Sequence, residues 1–311
     1  MSAQLTANKA VSFSQCKLLY TNAAQLPQVE CLQALVSQHG LSLSLSAELI
    51  TVKLNQKNRE LLSAESTHPI FLLNDKNKLS WLSGGLSVAP EWDKLQRRVV
   101  SAGRKTELLL QAAKIAADSH VIDATAGFGH DSLILASTGA RITMLEQQPL
   151  MALLLLAEQQ RMNAQPNWQK LMSRLHIINT DALSYFMNVQ NMTAFDATDD
   201  IDVVYLDPMF PEDSYQDSKT GKGAKVGKHM QALHHLASPP TLAQEQQLLQ
   251  NAQALVSSNV NDSIDVNGDG DKIKHQGRVI VKRPQHAPLF ANQAADDSWQ
   301  NGAVRFDGYF V

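Results

Sequence analysis

Only two cysteines, Cys16 and Cys31, occur in 311 residues. A chain of this size does not depend on one disulfide, so the pair reads as reduced thiols, and the expected compartment is the cytoplasm. No apolar stretch approaches the roughly 18 residues of a membrane span. The opening MSAQLTANKA lacks the charged-then-apolar pattern of an export signal. Basic residues are not in excess: 27 Lys and Arg face 30 Asp and Glu, a formal charge of −3. Global charge therefore demands no nucleic acid, although a local basic patch is compatible with it. Metal-ligand clusters are also missing. His39 and His68 are isolated, and no cysteine or acid completes a set with His229, His234 and His235, so no metal is expected. What is abundant is apolar: 44% of residues are hydrophobic, enough for a large core without staples.

In chain order, residues 1–90 read as a small α+β unit. Strands are expected at Lys17–Tyr20, around the alternating Leu41, Leu43 and Leu45, and at Ile50–Leu54 and Ile70–Leu73. A helix is expected over Val29–Gln38, stopped by Gly40. Gly84-Gly85 and Pro90 mark a boundary. Residues 91–311 then alternate strand and helix. Apolar runs at 120–123, 140–145, 175–179, 201–206 and 278–281 are separated by helical patterns, among them Gln148–Asn163 and Leu242–Val256, with Thr106 as a cap for a further helix near Leu109. The tail from Val304 alternates as an antiparallel strand would. The expected fold class is α/β, a doubly wound and mostly parallel sheet. Within it, Ser257–Gln276 is polar. Asp265, Asn267, Asp269 and Gly270 match half a calcium loop, but Gln276 stands where the bidentate Glu belongs, so a solvated, mobile insertion is the better reading.

The organising stretch is HVIDATAGFGHDSLILASTGARITMLE, residues 120–146. It reads as strand, small turn, helix, strand, with Asp123 and Glu146 at the strand tips. A turn containing Gly127 and Gly129 lets backbone approach a nucleotide-like ligand, and a carboxylate accepts from a ribose diol. Ser132 stands where a dinucleotide fingerprint needs its third glycine, which disfavours NAD. S-adenosylmethionine has no pyrophosphate to cradle and suits a looser turn. Glu146 would then take the ribose and Asp181 the adenine amine. Asp123, Glu146, Asp181 and Asp207 all fall at strand ends, where ligands of such sheets sit.

Asp207-Pro208-Met209-Phe210 resembles the [DN]-P-P-[FY] tetrapeptide of methyltransferases acting on exocyclic or amide nitrogens, with Met209 in place of the second proline. An aromatic amine is a poor nucleophile because its lone pair is delocalised. Asp207 and the Pro208 carbonyl, accepting its two N–H bonds, would free that lone pair, and Phe210 would stack on the base. With DATAGFGHD, ITMLEQQP, VVYLDPMFP, KHM and VIVKRP in this order, the chain from about Gly84 onward resembles the ribosomal small-subunit methyltransferase J family. That resemblance implies methyl transfer from S-adenosylmethionine to N2 of a guanine in 16S rRNA, with free 16S rRNA or the small ribosomal subunit as partner. It also implies cofactor contacts at His130, Asp131, Glu146, Gln147, Asp181, Ala182 and Asp207. The family usually carries Arg where His130 and Gln147 stand here.

Positive charge for RNA phosphates is sought in three clusters: Arg97, Arg98 and Arg104; Lys222, Lys225 and Lys228 in a glycine-bearing loop with Lys219; and Lys282-Arg283 at the end of the fifth run. A ring of such charges around one mouth would supply salt-dependent affinity, and a structured guanine would have to leave its stack to reach Asp207. Rival readings are a DNA-base or protein-amide methyltransferase, or an RNA-binding protein without turnover.

Overall fold

A computed structural model describes residues 14–51, 53–191, 200–210, 233, 236–257 and 276–311, and the backbone of 265–266 and 272–273. Two sheets organise it. The first contains β1 (Gln15–Tyr20), β2 (Ser44–Leu49), β3 (Ile70–Leu73), β4 (Leu79–Ser83) and β5 (Leu86–Val88), in the order β2-β1-β3-β4-β5. β1 is parallel to both β2 and β3, while β3-β4 and β4-β5 are antiparallel. Helices α1 (Leu26–Gln38) and α2 (Gln56–Glu65) belong to this part.

Several details differ from the sequence expectation. Leu41 and Leu43 are buried but precede β2, whose own side chains are mostly exposed because it is an edge strand. The run from Ile50 forms no strand among its described residues, and α2 follows it. Asn55 starts α2 by accepting from the Asn58 N–H at 2.9 Å, a cap the apolar pattern does not signal. Gly84 and Gly85, both with positive φ, form the turn of the β4-β5 hairpin.

The second sheet has the order β13-β14-β12-β9-β6-β7-β8. Its members are β6 (His120–Asp123), β7 (Arg141–Glu146), β8 (Leu175–Asn179), β9 (Val203–Leu206), β12 (Arg278–Pro284), β13 (Asp297–Gln300) and β14 (Val304–Phe310). Five strands, β8, β7, β6, β9 and β12, run parallel, and β14 and β13 add an antiparallel edge. The doubly wound, mostly parallel α/β sheet is thus present, and its antiparallel tail is β14. Between β9 and β12 lie α9 (Leu242–Ser257) and a two-residue antiparallel ribbon, β10 (Asp265–Val266) with β11 (Lys272–Ile273). The rest of the Ser257–Gln276 stretch expected to be mobile lies largely outside the described residues. Among the described residues no helix is long and apolar enough to cross a membrane.

Before β9 the described helices of this half are α3 (Gln96–Ser101), α4 (Leu108–Ala113), α5 (His130–Ser137), α6 (Pro149–Asn163), α7 (Pro166–Met172) and α8 (Ala182–Asn191). Thr106 does not cap α4. Glu107 occupies that position without a side-chain cap, and the Thr106 hydroxyl instead donates to Ser101 and Gly103 carbonyls.

Helix α6 explains its own composition. Leu150 to Glu158 are buried without interruption. The helix touches α1 and β4 of the first sheet and β7, β8 and α7 of the second. A helix enclosed on both sides needs no polar stripe. One buried apolar cluster accordingly runs through both halves, from Leu18 and Trp81 to Leu153 and Val203. Glu158 on α6 is 3% exposed. It accepts two 2.8 Å hydrogen bonds from Arg161 and one of 3.1 Å from the Trp92 backbone N–H, with Lys78 at 3.9 Å. A buried carboxylate is tolerable only with such pairing.

Candidate active site

The order of the second sheet reverses between β6 and β9. From β6 the chain moves to β7 and β8 on one side, then returns to β9 and β12 on the other. Crevices of open α/β sheets form beyond the carboxyl ends at such a point. Asp123 ends β6, and Asp207 directly follows β9.

The turn after β6 is pinned from several directions. Ala124 N–H donates to Tyr205 O at 2.9 Å, Ala126 N–H to Leu145 O at 3.1 Å and Gly129 N–H to Ala126 O at 2.7 Å. Gly127 and Gly129 have φ of +53° and +71°. A Cβ on Gly129 would lie 2.7 Å from Met144 Cε and 3.0 Å from the Trp92 ring. Gly129→Ala should therefore cost roughly 2–5 kcal/mol, from left-handed backbone plus overpacking. Urea unfolding of G129A against G302A, where a Cβ meets nothing within 4 Å, is the check. Equal midpoints would refute it.

The segment before α3 braces this turn, a contribution that sequence pattern did not show. The fully buried Trp92 donates its indole N–H to Phe128 O at 2.8 Å. His130 Nε2 lies 2.6 Å from Pro90 O, which requires the proton on that nitrogen, and burial lowers the imidazole pKa.

Two carboxylates of the site are deeply buried. Asp123 accepts from the Ser132 hydroxyl and, at 3.2 Å, from the Thr125 N–H. Glu146 accepts from Gly127 N–H at 3.2 Å and Gln148 N–H at 2.8 Å. Burial outweighs these bonds and pushes both groups up to about 7. Gln147, beside Glu146, is exposed. Asp181 follows β8 and is exposed, and its carboxylate caps α8 by accepting from the Ser184 N–H at 2.9 Å. Ala182 is the first residue of α8.

The third feature joins strands β9 and β12. Their parallel register pairs Leu206 with Val281, so Lys282 falls beside Asp207. Lys282 Nζ donates to Asp207 Oδ2 at 2.8 Å and to Asp131 Oδ2 at 2.7 Å. The Tyr205 hydroxyl also donates to Asp131, at 2.7 Å. Burial drives the Asp131 carboxyl up, but Lys282, Tyr205 and Arg98 together bring it below the ordinary range. Asp207 ends above the ordinary range, because burial and Asp131 outweigh Lys282. The Lys282 ammonium is raised despite burial, by the two carboxylates. Asp207 N–H donates to Thr125 Oγ1 at 2.6 Å, tying the β9 tip to the first turn.

The expected RNA contacts separate into three groups. Lys282 and Arg283 do not offer charge to solvent phosphates. Lys282 is held by two carboxylates, and Arg283 is 3% exposed and paired with Glu245 at 3.2 Å. Strand alternation sends them to opposite faces of the sheet, Arg283 into a covered face and Lys282 against the two carboxylates. The Arg283 guanidinium lies 4.7 Å over the Phe210 ring, so that face of Phe210 cannot receive a base. Phe210 itself is 5% exposed. Arg97, Arg98 and Arg104 are exposed on and after α3, which packs on α5. Arg98 is committed to Glu107 through two 2.8 Å bonds, and Arg104 donates to Ile115 O at 3.0 Å. Lys219, Lys222, Lys225, Lys228, His229, His234 and His235 lie outside the described residues.

Comparison with known proteins adds to this geometry. The family model described as "Putative SAM-dependent methyltransferase" matches residues 47–261. The chain is 69% identical over 296 residues to the ribosomal RNA small subunit methyltransferase J of Psychrobacter arcticus, covering 95% of this chain and 96% of that protein. It is 71% identical to the same-named protein of Psychrobacter cryohalolentis over equal shares, and 34% identical to that of Acinetobacter baylyi over 86% of this chain and 89% of that one. A crystal structure of a SAM-dependent methyltransferase from Neisseria gonorrhoeae superposes with a TM-score of 0.61 at 22% identity, covering 94% of this chain and 95% of that one. It supports the fold: a Rossmann-like, class I methyltransferase sheet.

Proposed function

The chain belongs to the ribosomal RNA small subunit methyltransferase J family, an S-adenosylmethionine-dependent family, and from that premise we propose that it methylates the exocyclic N2 of a guanine in 16S rRNA. The observation that carries this reading is Asp207. Its carboxylate stands at the tip of β9, at the sheet's reversal, linked through one ammonium to the first turn of α5.

The donor set fits S-adenosylmethionine. Four carboxylates, Asp123, Asp131, Glu146 and Asp207, gather at these strand ends, and Lys282 pairs with two of them, a balance that favours a positively charged sulfonium over a phosphate-bearing ligand. Buried Glu146 still has lone pairs beyond the two backbone bonds it accepts, and a ribose diol supplies neutral donors for them. Gly127 holds a left-handed backbone (φ +53°) that lets the turn come close to a ligand without a side chain in the way. When bound, the cofactor supplies an electrophilic methyl group. Glu146 holds the ribose, while His130, Asp131, Gln147, Asp181 and Ala182 line the rest of the cofactor's path.

Asp207 and the Pro208 carbonyl accept the two amine N–H bonds of the target base and turn its lone pair toward the methyl. Phe210, buried and clamped by Arg283, supports this turn rather than stacking on the base. Arg97, with Lys222, Lys225 and Lys228, supplies phosphate contacts. An rRNA substrate places the reaction in the cytoplasm.

Tritium transfer from labelled S-adenosylmethionine to small-subunit rRNA, small subunits, DNA and protein tests the substrate class. Nuclease digestion and mass spectrometry of rRNA from cells lacking the protein test the position. Loss of one N2-methylguanine is the expected result. A different methylated nucleoside, or transfer only to DNA or protein, would overturn the proposal.

A further inference from the structure

We propose that Lys282 is a positioning residue for methyl transfer: its ammonium bridges Asp131 in the first turn of α5 to Asp207 at the tip of β9 and thereby orients the carboxylate that receives the substrate amine. The inference rests on the proposed reaction at Asp207.

The geometry carries it. Two carboxylates from different elements lie within 2.7 and 2.8 Å of one nitrogen. Without that cation, the pair would face each other across a few ångströms, and like charges so placed cannot both stay ionised. The Asp131 carboxylate has a second anchor in the Tyr205 hydroxyl, while at Asp207 the backbone N–H is tied to Thr125 and the side chain is held by Lys282. Lys282 thus completes a path Tyr205-Asp131-Lys282-Asp207 from the sheet interior to the reacting position. Stability does not explain the arrangement, because partly buried ion pairs gain little net free energy. The Lys282 side chain is 25% exposed and the Asp207 side chain 32%, so the pair faces the crevice.

The charged neighbours decide the direction of pH effects. Asp207 feels Lys282 on β12, Asp131 on α5, Asp123 on β6 and Tyr205 on β9, while His130 on α5 and Arg98 on α3 act on Asp131. Burial already holds the Asp207 carboxyl above its ordinary range, with Lys282 opposing the rise and Asp131 adding to it. Removing Lys282 must raise it further, and removing the Asp131 charge must lower it.

The test uses the full chain, small-subunit rRNA and saturating S-adenosylmethionine. Lys282→Met should lower kcat by roughly tenfold to a hundredfold and move the acid limb of the kcat profile up by about one pH unit or more. Cofactor Kd should change far less. Lys282→Arg should restore the limb toward the wild-type position, and Asp131→Asn should move it the opposite way from Lys282→Met. An equal fall at every pH, an unshifted limb, or shifts of the same sign in K282M and D131N would overturn the inference. D131N keeps the test decisive if K282M does not fold. Carboxyl titration of ¹³C-aspartate-labelled wild type and K282M, without RNA, reads the same coupling independently. A wild-type enzyme inactive on rRNA with an intact Lys282 effect on Asp207 would refute the proposed function but not the coupling.

Discussion

Asp207→Asn is expected to lower the methyl-transfer rate constant by about 10²–10³-fold, the scale seen when one preorganised group that meets developing charge is removed. The substitution keeps size and one acceptor oxygen. It loses the negative charge that accepts from an amine turning cationic as its nitrogen is alkylated. It also sets an amide against the Lys282 ammonium, so Lys282 is drawn toward Asp131 alone. The Thr125 bond to the residue 207 backbone is untouched, so the loop should stay in place. Single-turnover tritium transfer with saturating rRNA measures the rate, and calorimetric titration with S-adenosylmethionine shows that binding suffers far less. Near-wild-type transfer by D207N would remove Asp207 from the reaction.

Glu146→Gln is expected to act on binding instead. Losing charge-assisted bonds to a ribose diol should weaken cofactor binding by about 2–3 kcal/mol, roughly 30- to 150-fold in Kd. The rate constant at saturation should change little. The pH dependence carries the same signature. Glu146 lies at about 7 in the folded protein, against an ordinary 4.5. Since the diol requires the ionised carboxylate, affinity should fall as pH drops below about 7, and Glu146→Gln should flatten that fall. Folding responds in the opposite sense. A carboxyl with a raised folded pKa makes the native state hold more protons, so cofactor-free stability should decline as pH rises from about 4.5 to about 7. Asp123 adds to the same trend. Thermal unfolding between pH 5 and 8, with and without cofactor, measures this. An unchanged Kd for E146Q would separate Glu146 from the ribose.

Much of the second sheet was legible because its strands are buried on both faces. Ile142, Met144 and Leu145 in β7, and Val203 to Leu206 in β9, are continuous apolar runs with acids at their ends. The first sheet was less legible. Leu41 and Leu43 alternate like a strand but pack from the segment before it, while the strand itself is an exposed edge. The short β13, Asp297–Gln300, carries no apolar signal because three of its four side chains are exposed. Helix α2 buries no side chain, so periodicity could not reveal it.

Local pattern was enough to place Asp123, Glu146, Asp181 and Asp207 at strand ends, since a two-residue period and a turn signal depend only on neighbours in the chain. The roles of Lys282 and Arg283 could not be read that way. As sequence they are a basic pair awaiting phosphate. Only pairing with β9 sets one of them beside Asp207 and buries the other over Phe210, because a side chain's direction follows the register of its strand. The same holds for α6, whose unbroken leucines make sense only between two sheets, and for Trp92, which reaches Phe128 across 36 residues of chain. Composition and spacing carry what neighbours impose. Long-range pairing decides which charges meet, and here that decision builds the site.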